Sequence, residues 1–78
     1  MKSILITGAS GGIGSEIAIQ TAADGYKVGL IDLNEEKLNE LQSKIPNSIA
    51  LPTDVTDEDS VNESIKKFGD TPSALVNC

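Results

Sequence analysis

A parallel sheet wound with helices on both faces is what this sequence encodes, and three observations point to it. An apolar run of strand length, Ile4-Leu5-Ile6, is followed at once by glycines at positions 8, 11, 12 and 14, after which the pattern turns helical at Ile13, Ile17, Ala18 and Thr21. Strand-like and helix-like segments then alternate to the end of the chain as β-α-β-α-β-α-β, the order that a doubly wound parallel α/β sheet requires. No internal repeat, low-complexity tract or linker interrupts this alternation, so residues 1–78 read as one unit with no second domain.

Each element has a local cause. The first strand is expected over Lys2–Thr7, and the first helix from about Gly12 to Asp24, with Gly25 as its left-handed stop. Lys27–Ile31 forms the second strand, ending at Asp32. Asn34 is a natural N-cap for a second helix whose first turn carries Glu35 and Glu36, favourable at the positive end of a helix dipole. Leu38, Leu41 and Ile45 make its apolar face, and Pro46 lies just beyond it. A short third strand covers Ser48–Leu51. Thr56 with Asp59 three residues later resembles a capping box, opening a third helix with Val61, Ile65 and Phe68 on one face and Gly69 as its stop. Ala74–Val76 forms the fourth strand. Right-handed crossovers with strand order 3-2-1-4 place the first two helices on one face and the third on the other. A ligand crevice then lies at the carboxyl ends of strands one and four.

Composition narrows the function. A net charge of −6, with no Arg and no His, argues against partners such as nucleic acid or an anionic membrane surface. Without His, and with Cys78 as the single cysteine, neither a zinc site nor a His-dependent triad is available, and no metal ligands are assigned. One cysteine cannot form an internal disulfide, which fits a reducing, cytoplasmic location. No run approaches the ~18 apolar residues of a membrane span, and no secretory signal is expected. Seventy-eight residues make at most one small domain, of marginal stability by itself.

The glycine turn carries the chemistry. A strand, a glycine-rich turn and a helix start aim free backbone N–H groups and the positive end of a helix dipole at an anion, here the pyrophosphate of a dinucleotide. Gly8 permits the sharp exit from the strand, Gly12 lets backbone approach the pyrophosphate with Ile13 N–H donating, and Gly14 lets the helix pack close. Ser10 can add a hydroxyl donor. Because no Lys or Arg lies between Lys2 and Lys27, the phosphates must rely on main-chain amides without a cation. A glycine cluster is otherwise only a tight turn, but the flanking strand and helix weigh against that bland alternative. Asp32, at the end of strand two and 18 residues after Gly14, can accept hydrogen bonds from both ribose hydroxyls and repel a 2′-phosphate. NAD is therefore favoured over NADP as cofactor. Leu33 joins Asp32 in the expected cofactor-binding set. Asp54 can accept from the exocyclic amine of adenine, while Val55 covers the ring. The remaining acids read as solvated helix surface, with Glu40–Lys44 and Glu63–Lys67 spaced as i,i+4 pairs worth about 0.3–0.5 kcal/mol each.

Thr7-Gly8-Ala9-Ser10-Gly11-Gly12-Ile13-Gly14 resembles the TGxxxGxG motif of the short-chain dehydrogenase/reductase family. Asp32, Asp54-Val55 and Leu75-Val76-Asn77-Cys78 fall where that family has its ribose-binding acid, its adenine-contacting pair and the start of its L-V-N-N-A-G segment, with Cys78 replacing the second Asn. The resemblance implies a Rossmann-type fold and a nicotinamide-dependent oxidoreductase interconverting ketones and alcohols, with 3-oxoacyl-acyl-carrier-protein reductases the nearest by general look. It adds Asn77 to the cofactor-binding set and implies a homo-oligomeric parent. The family's catalytic Ser and Tyr-x-x-x-Lys have no counterpart here: Tyr26 is followed four positions later by Leu30, so no catalytic residue is assigned. The chain is thus expected to be the N-terminal half of one NAD(P)-binding domain, its small-molecule substrate bound only by the full-length parent. The rival is a stand-alone nucleotide-binding module or an inactive truncated product. A bare fourth strand of Ala74, Leu75 and Val76 favours truncation.

Overall fold

The computed structural model describes residues 2–78. Its elements alternate as β1 (Ser3–Thr7), α1 (Gly12–Ala23), β2 (Lys27–Asp32), α2 (Glu35–Lys44), β3 (Ser48–Pro52), α3 (Glu58–Phe68) and β4 (Ala74–Asn77). All pairings are parallel, and the sheet order is β3-β2-β1-β4, as the sequence predicts. Reversal of direction between β3 and β4 leaves the carboxyl ends of β1 and β4 side by side, with Thr7 opposite Asn77.

Alternation along the strands sorts the core into two layers. Ile4, Ile6, Val28, Leu30 and Ala50 face α1 and α2, where Ala18, Leu38 and Ile45 cover them. Leu5, Ile31 and Leu51 point the other way and meet Phe68 of α3. Gly29 makes room for that ring: a Cβ there would run into Leu5 Cδ2 and come within 3.1 Å of both Leu51 Cδ1 and Phe68 Cε1. Ile13, expected on the apolar stripe of α1, is 74% exposed instead, because it lies in the first turn beyond the edge of the sheet.

Helix ends follow local chemistry, with one correction. Asn34 caps α2 by accepting from Lys37 N at 3.0 Å. Gly25 and Gly69 take the positive φ values, 93° and 83°, that end α1 and α3 cheaply. The capping box expected from Thr56 and Asp59 does not form. Asp57 is the N-cap, its carboxylate accepting from the amides of Asp59 and Ser60. Thr56 is drawn back into its own turn, where its amide and hydroxyl both donate to Asp54 Oδ1 at 2.9 and 2.6 Å. Of the two expected i,i+4 pairs, Glu40–Lys44 forms at 3.3 Å. Glu63–Lys67 forms no ion pair within 4.0 Å among the described residues; instead Lys27 reaches Asp70 at 2.9 Å.

Lys27 fastens α3 to the sheet. Its Nζ donates to the carbonyl of Phe68 at 2.6 Å, where α3 leaves backbone acceptors unpaired, and lies 4.7 Å from the centre of the Phe68 ring. Midway along the helix, Thr53 Oγ1 donates to Leu51 O at 2.7 Å and so must accept from Ser64 Oγ at 2.5 Å. No helix is long and apolar enough to cross a membrane among the described residues.

Candidate functional site

The turn leaving β1 is held open by backbone geometry. Gly8 adopts φ 65°, and a Cβ on it would stand 2.9 Å from the carbonyl oxygen of Cys78, just past the end of β4. Gly11 N closes the turn on Gly8 O at 3.1 Å, and Ala9 N reaches across to Ile31 O at 3.1 Å. Gly14 lets α1 begin hard against this turn, since a Cβ there would overlap Gly8 O and stand 2.9 Å from Gly8 C.

The result is a helix start with idle donors. The first helical bond runs from Ser15 N to Gly11 O, and the amides of Gly12, Ile13 and Gly14 have no protein acceptor among the described residues. Gly11, the N-cap residue, has no side chain to cap them, and no acid sits in the first turn. A Cβ built on Gly12 meets nothing within 4 Å. Positive potential and free N–H groups therefore face open space, the requirement for holding a diphosphate.

That space is a cavity of about 470 Å³ lined by Gly8, Ser10, Gly11, Gly12, Ile13, Gly14, Asp32, Lys37 and Cys78. It joins the glycine turn to the end of β2, as the spacing of Gly14 and Asp32 predicts. Asp32 is partly buried and tightly held. Ser10 donates to Oδ2 through both hydroxyl (2.5 Å) and amide (3.1 Å), and Leu33 N donates to Oδ1 at 2.8 Å. The Ser10 hydroxyl, foremost, and then the amides of Leu33, Ser10 and Asn34 hold the Asp32 carboxyl below its ordinary value, against an opposing effect of burial. The hydroxyl donor expected at Ser10 is thus directed at Asp32.

Lys37 is the residue that sequence reasoning passed over. It projects from the first turn of α2 into the cavity and has no acid within ion-pair distance among the described residues. An unpaired cation therefore faces the same cavity as the helix-start amides. No local signal marks it: Lys37 reaches the cavity because the start of α2 and the glycine turn come together in space.

The other expected residues lie around this centre. Asp54, fully exposed, is held below the ordinary carboxylate value by the Thr56 hydroxyl and amide. Val55 and Leu33 are exposed at 59% and 71%, and Val55 lines a separate apolar cavity of about 230 Å³ with Leu5, Ile31, Val61, Ile65 and Leu75. Asn77 Oδ1 accepts from Thr7 Oγ1 at 2.9 Å, locking the ends of β1 and β4 together beside the glycine turn. Tyr26 sits at the opposite end of the sheet, packed against the α1–α2 core.

Comparison with known proteins agrees with this geometry. The profile of the short chain dehydrogenase family matches residues 2–75. A 3-oxoacyl-(acyl-carrier-protein) reductase of Staphylococcus epidermidis is 42% identical over 97% of this chain, which corresponds to 34% of that protein. One from Staphylococcus aureus is 41% identical over 85% of the chain and 29% of its own length. Among solved structures, a Brucella melitensis 3-oxoacyl-(acyl-carrier protein) reductase with bound NAD superimposes with TM-score 0.91 at 28% identity, covering 99% of this chain and 31% of that one. An Escherichia coli hydroxysteroid dehydrogenase gives 0.84 at 34% identity, over 97% of this chain and 35% of its own. The chain thus spans about a third of the length of the relatives it matches. With the motif, the sheet order and the match over residues 2–75 in agreement, the chain belongs to the short-chain dehydrogenase family.

Proposed function

We propose that this chain forms the ADP-binding end of an NAD-preferring, cytoplasmic short-chain oxidoreductase acting on a ketone or alcohol, in the manner of the 3-oxoacyl-acyl-carrier-protein reductases it is similar to. A nicotinamide dinucleotide, when bound, supplies the hydride acceptor or donor. The residues here bind and orient it: the amides of Gly12, Ile13 and Gly14 face the diphosphate, with Gly8 and Ser10 shaping the turn. Asp32 accepts from the adenosine ribose. Leu33, Asp54 and Val55 flank the adenine, and Asn77 fixes the end of β4 beside the glycine turn. The groups that move a proton at the substrate belong, on this reading, to the other two-thirds of the length that its relatives possess.

The observation that carries the proposal is the single cavity of about 470 Å³ uniting unpaired helix-start amides with a fixed carboxylate. A self-contained nucleotide-binding module is the rival, and the edge strand β4 weighs against it. Leu75 is 59% exposed there, beside an apolar cavity that none of the described residues fills. Titration of a full-length parent containing this segment with NADH and NADPH, followed by calorimetry, tests the reading, whereas tight NADH binding by the 78-residue chain alone favours the module. NADH is expected to bind the more tightly, and Asp32→Ala to weaken it about tenfold or more, or roughly 1.4 kcal/mol, while erasing the preference. Absence of NADH binding, or a preference that Asp32→Ala leaves unchanged, overturns it.

A further inference from the structure

We propose that Ser10 is a positioning residue that presets the Asp32 carboxylate for the ribose hydroxyls, an inference resting on the dinucleotide-binding reading above. The two residues come from different turns, one after β1 and one at the end of β2, separated by 22 positions in sequence. Ser10 places two donors, hydroxyl and amide, on the same oxygen, at 2.5 and 3.1 Å. Leu33 N takes the other oxygen at 2.8 Å. A carboxylate held by donors on both oxygens from two directions cannot rotate freely about its Cβ–Cγ bond. With Ser10 supplying two donors to Oδ2 and Leu33 one to Oδ1, the acceptor position left for a ribose hydroxyl is on Oδ1.

Two consequences separate this role from simple packing. The first is orientational: a fixed carboxylate meets a vicinal diol without the entropy loss of ordering it first, so the latch acts on affinity. The second is protonic. A hydroxyl donating to the ionised form keeps Asp32 an acceptor at lower pH than a free Asp, so removing that donor moves the loss of ribose binding to higher pH. The charged surroundings are few. Among the described residues, Lys37 of α2 is the one charged side chain besides Asp32 lining the cavity, and the Cys78 thiol is the other titratable side chain there. Glu35 and Glu36 share the first turn of α2 without lining it. The first turn of α1 holds no acid, and β1, β3 and β4 carry no charged residue.

The experiment compares the chain with Ser10→Ala and Ser10→Thr. NADH affinity is measured by calorimetry, and the Asp32 carboxyl is titrated by carbon-detected NMR without any ligand, both from about pH 2.5 to about pH 7, a range that spans the titration of a lowered Asp. Ser10→Ala is expected to weaken NADH binding about three- to tenfold near neutrality. It should raise the pH at which both the Asp32 resonance and NADH affinity titrate, and Ser10→Thr, which keeps the hydroxyl, should restore both. An Asp32 titration unmoved by Ser10→Ala overturns the latch, as does an affinity loss equal at every pH. Because the NMR titration needs no cofactor, a protein that shows the shift but binds no NADH condemns the dinucleotide reading and the ribose role with it, while leaving the Ser10–Asp32 coupling measured. A protein that binds NADH with no change on Ser10→Ala condemns the latch alone.

Discussion

On the face of the sheet covered by α1 and α2, Ile4, Ile6, Val28, Leu30 and Ala50 meet Ala18, Leu38 and Ile45 in one continuous apolar layer. On the α3 face the buried apolar set, among the described residues, is Leu5, Ile31, Leu51 and Phe68. Two short helices supply the first layer with small and branched side chains spread along their length. α3 supplies a single aromatic ring seated over Gly29, and polar ties then fix the helix where apolar contact is thin. Lys27 holds its last turn, Ser64 meets Thr53 in its middle, and Ser60 Oγ accepts from Asp54 N at 3.0 Å near its start. A thinly packed face is held in place by directed bonds, and its unburied remainder, Val55, Ile65 and Leu75, borders the apolar cavity.

Truncating the central residue of each layer gives the largest expected effect. Phe68→Ala should cost about 3–5 kcal/mol, a large share of what a chain this small can hold, and should release α3 preferentially. Leu38→Ala, equally buried on the other face, should cost about 2–5 kcal/mol but expose both faces together, because its layer is continuous. Denaturant titration gives the totals, and amide hydrogen exchange gives the pattern. Loss of protection spread evenly over α1, α2 and α3 in Phe68→Ala would dissolve the distinction between the faces.

The polar tie at the end of α3 comes next. Lys27→Met keeps an unbranched apolar stem but removes the donor to Phe68 O and the charge over the ring. About 1–2 kcal/mol should be lost, nearly all of it from the carbonyl and ring contacts, because Asp70 is exposed and an exposed ion pair contributes little. Asp70→Asn is the control and should leave the unfolding midpoint almost unmoved. If the two variants were equally destabilised, the tie would be the ion pair and not the helix cap.

The same contrast explains what could be read from sequence. Strand order, both left-handed glycine stops and the Asn34 cap were legible because each depends on residues a few positions apart or on a rule of chain connectivity. The cap of α3 was not, since Thr56-Asp57-Glu58-Asp59-Ser60 offers two overlapping cap patterns. Only the competition for Thr56 by Asp54 decides between them. At the site, the glycine turn and Asp32 were legible by spacing. Ser10 as the partner of Asp32, and Lys37 as a cation in the cavity, were not, because both depend on how two turns from different strands meet in space. The Lys27 tie, 41 residues long in sequence, leaves no local signal at all.

The smallest effect expected concerns the two carboxylates at the strand ends, and it extends the contrast from helices to turns. Both Asp32 and Asp54 are held below the ordinary Asp value of 3.8 by hydrogen bonds to the ionised form. A group shifted in this direction adds stability that is fully present above its unfolded-state value and lost as pH falls through the folded one. Stability should therefore decline on acidification from about pH 5 toward about pH 2, in part through these two groups. Their shares should differ. Asp32 draws Ser10 of another turn toward β2, so protonating it loosens two segments, whereas the Asp54 carboxylate accepts from Thr56 of its own exposed turn. Thermal unfolding across that range should show Asp32→Asn flattening the acid limb, with Asp54→Asn nearly superimposable on the unmodified chain. Equal flattening by both would mean that the tie between turns adds nothing to a local Asx bond.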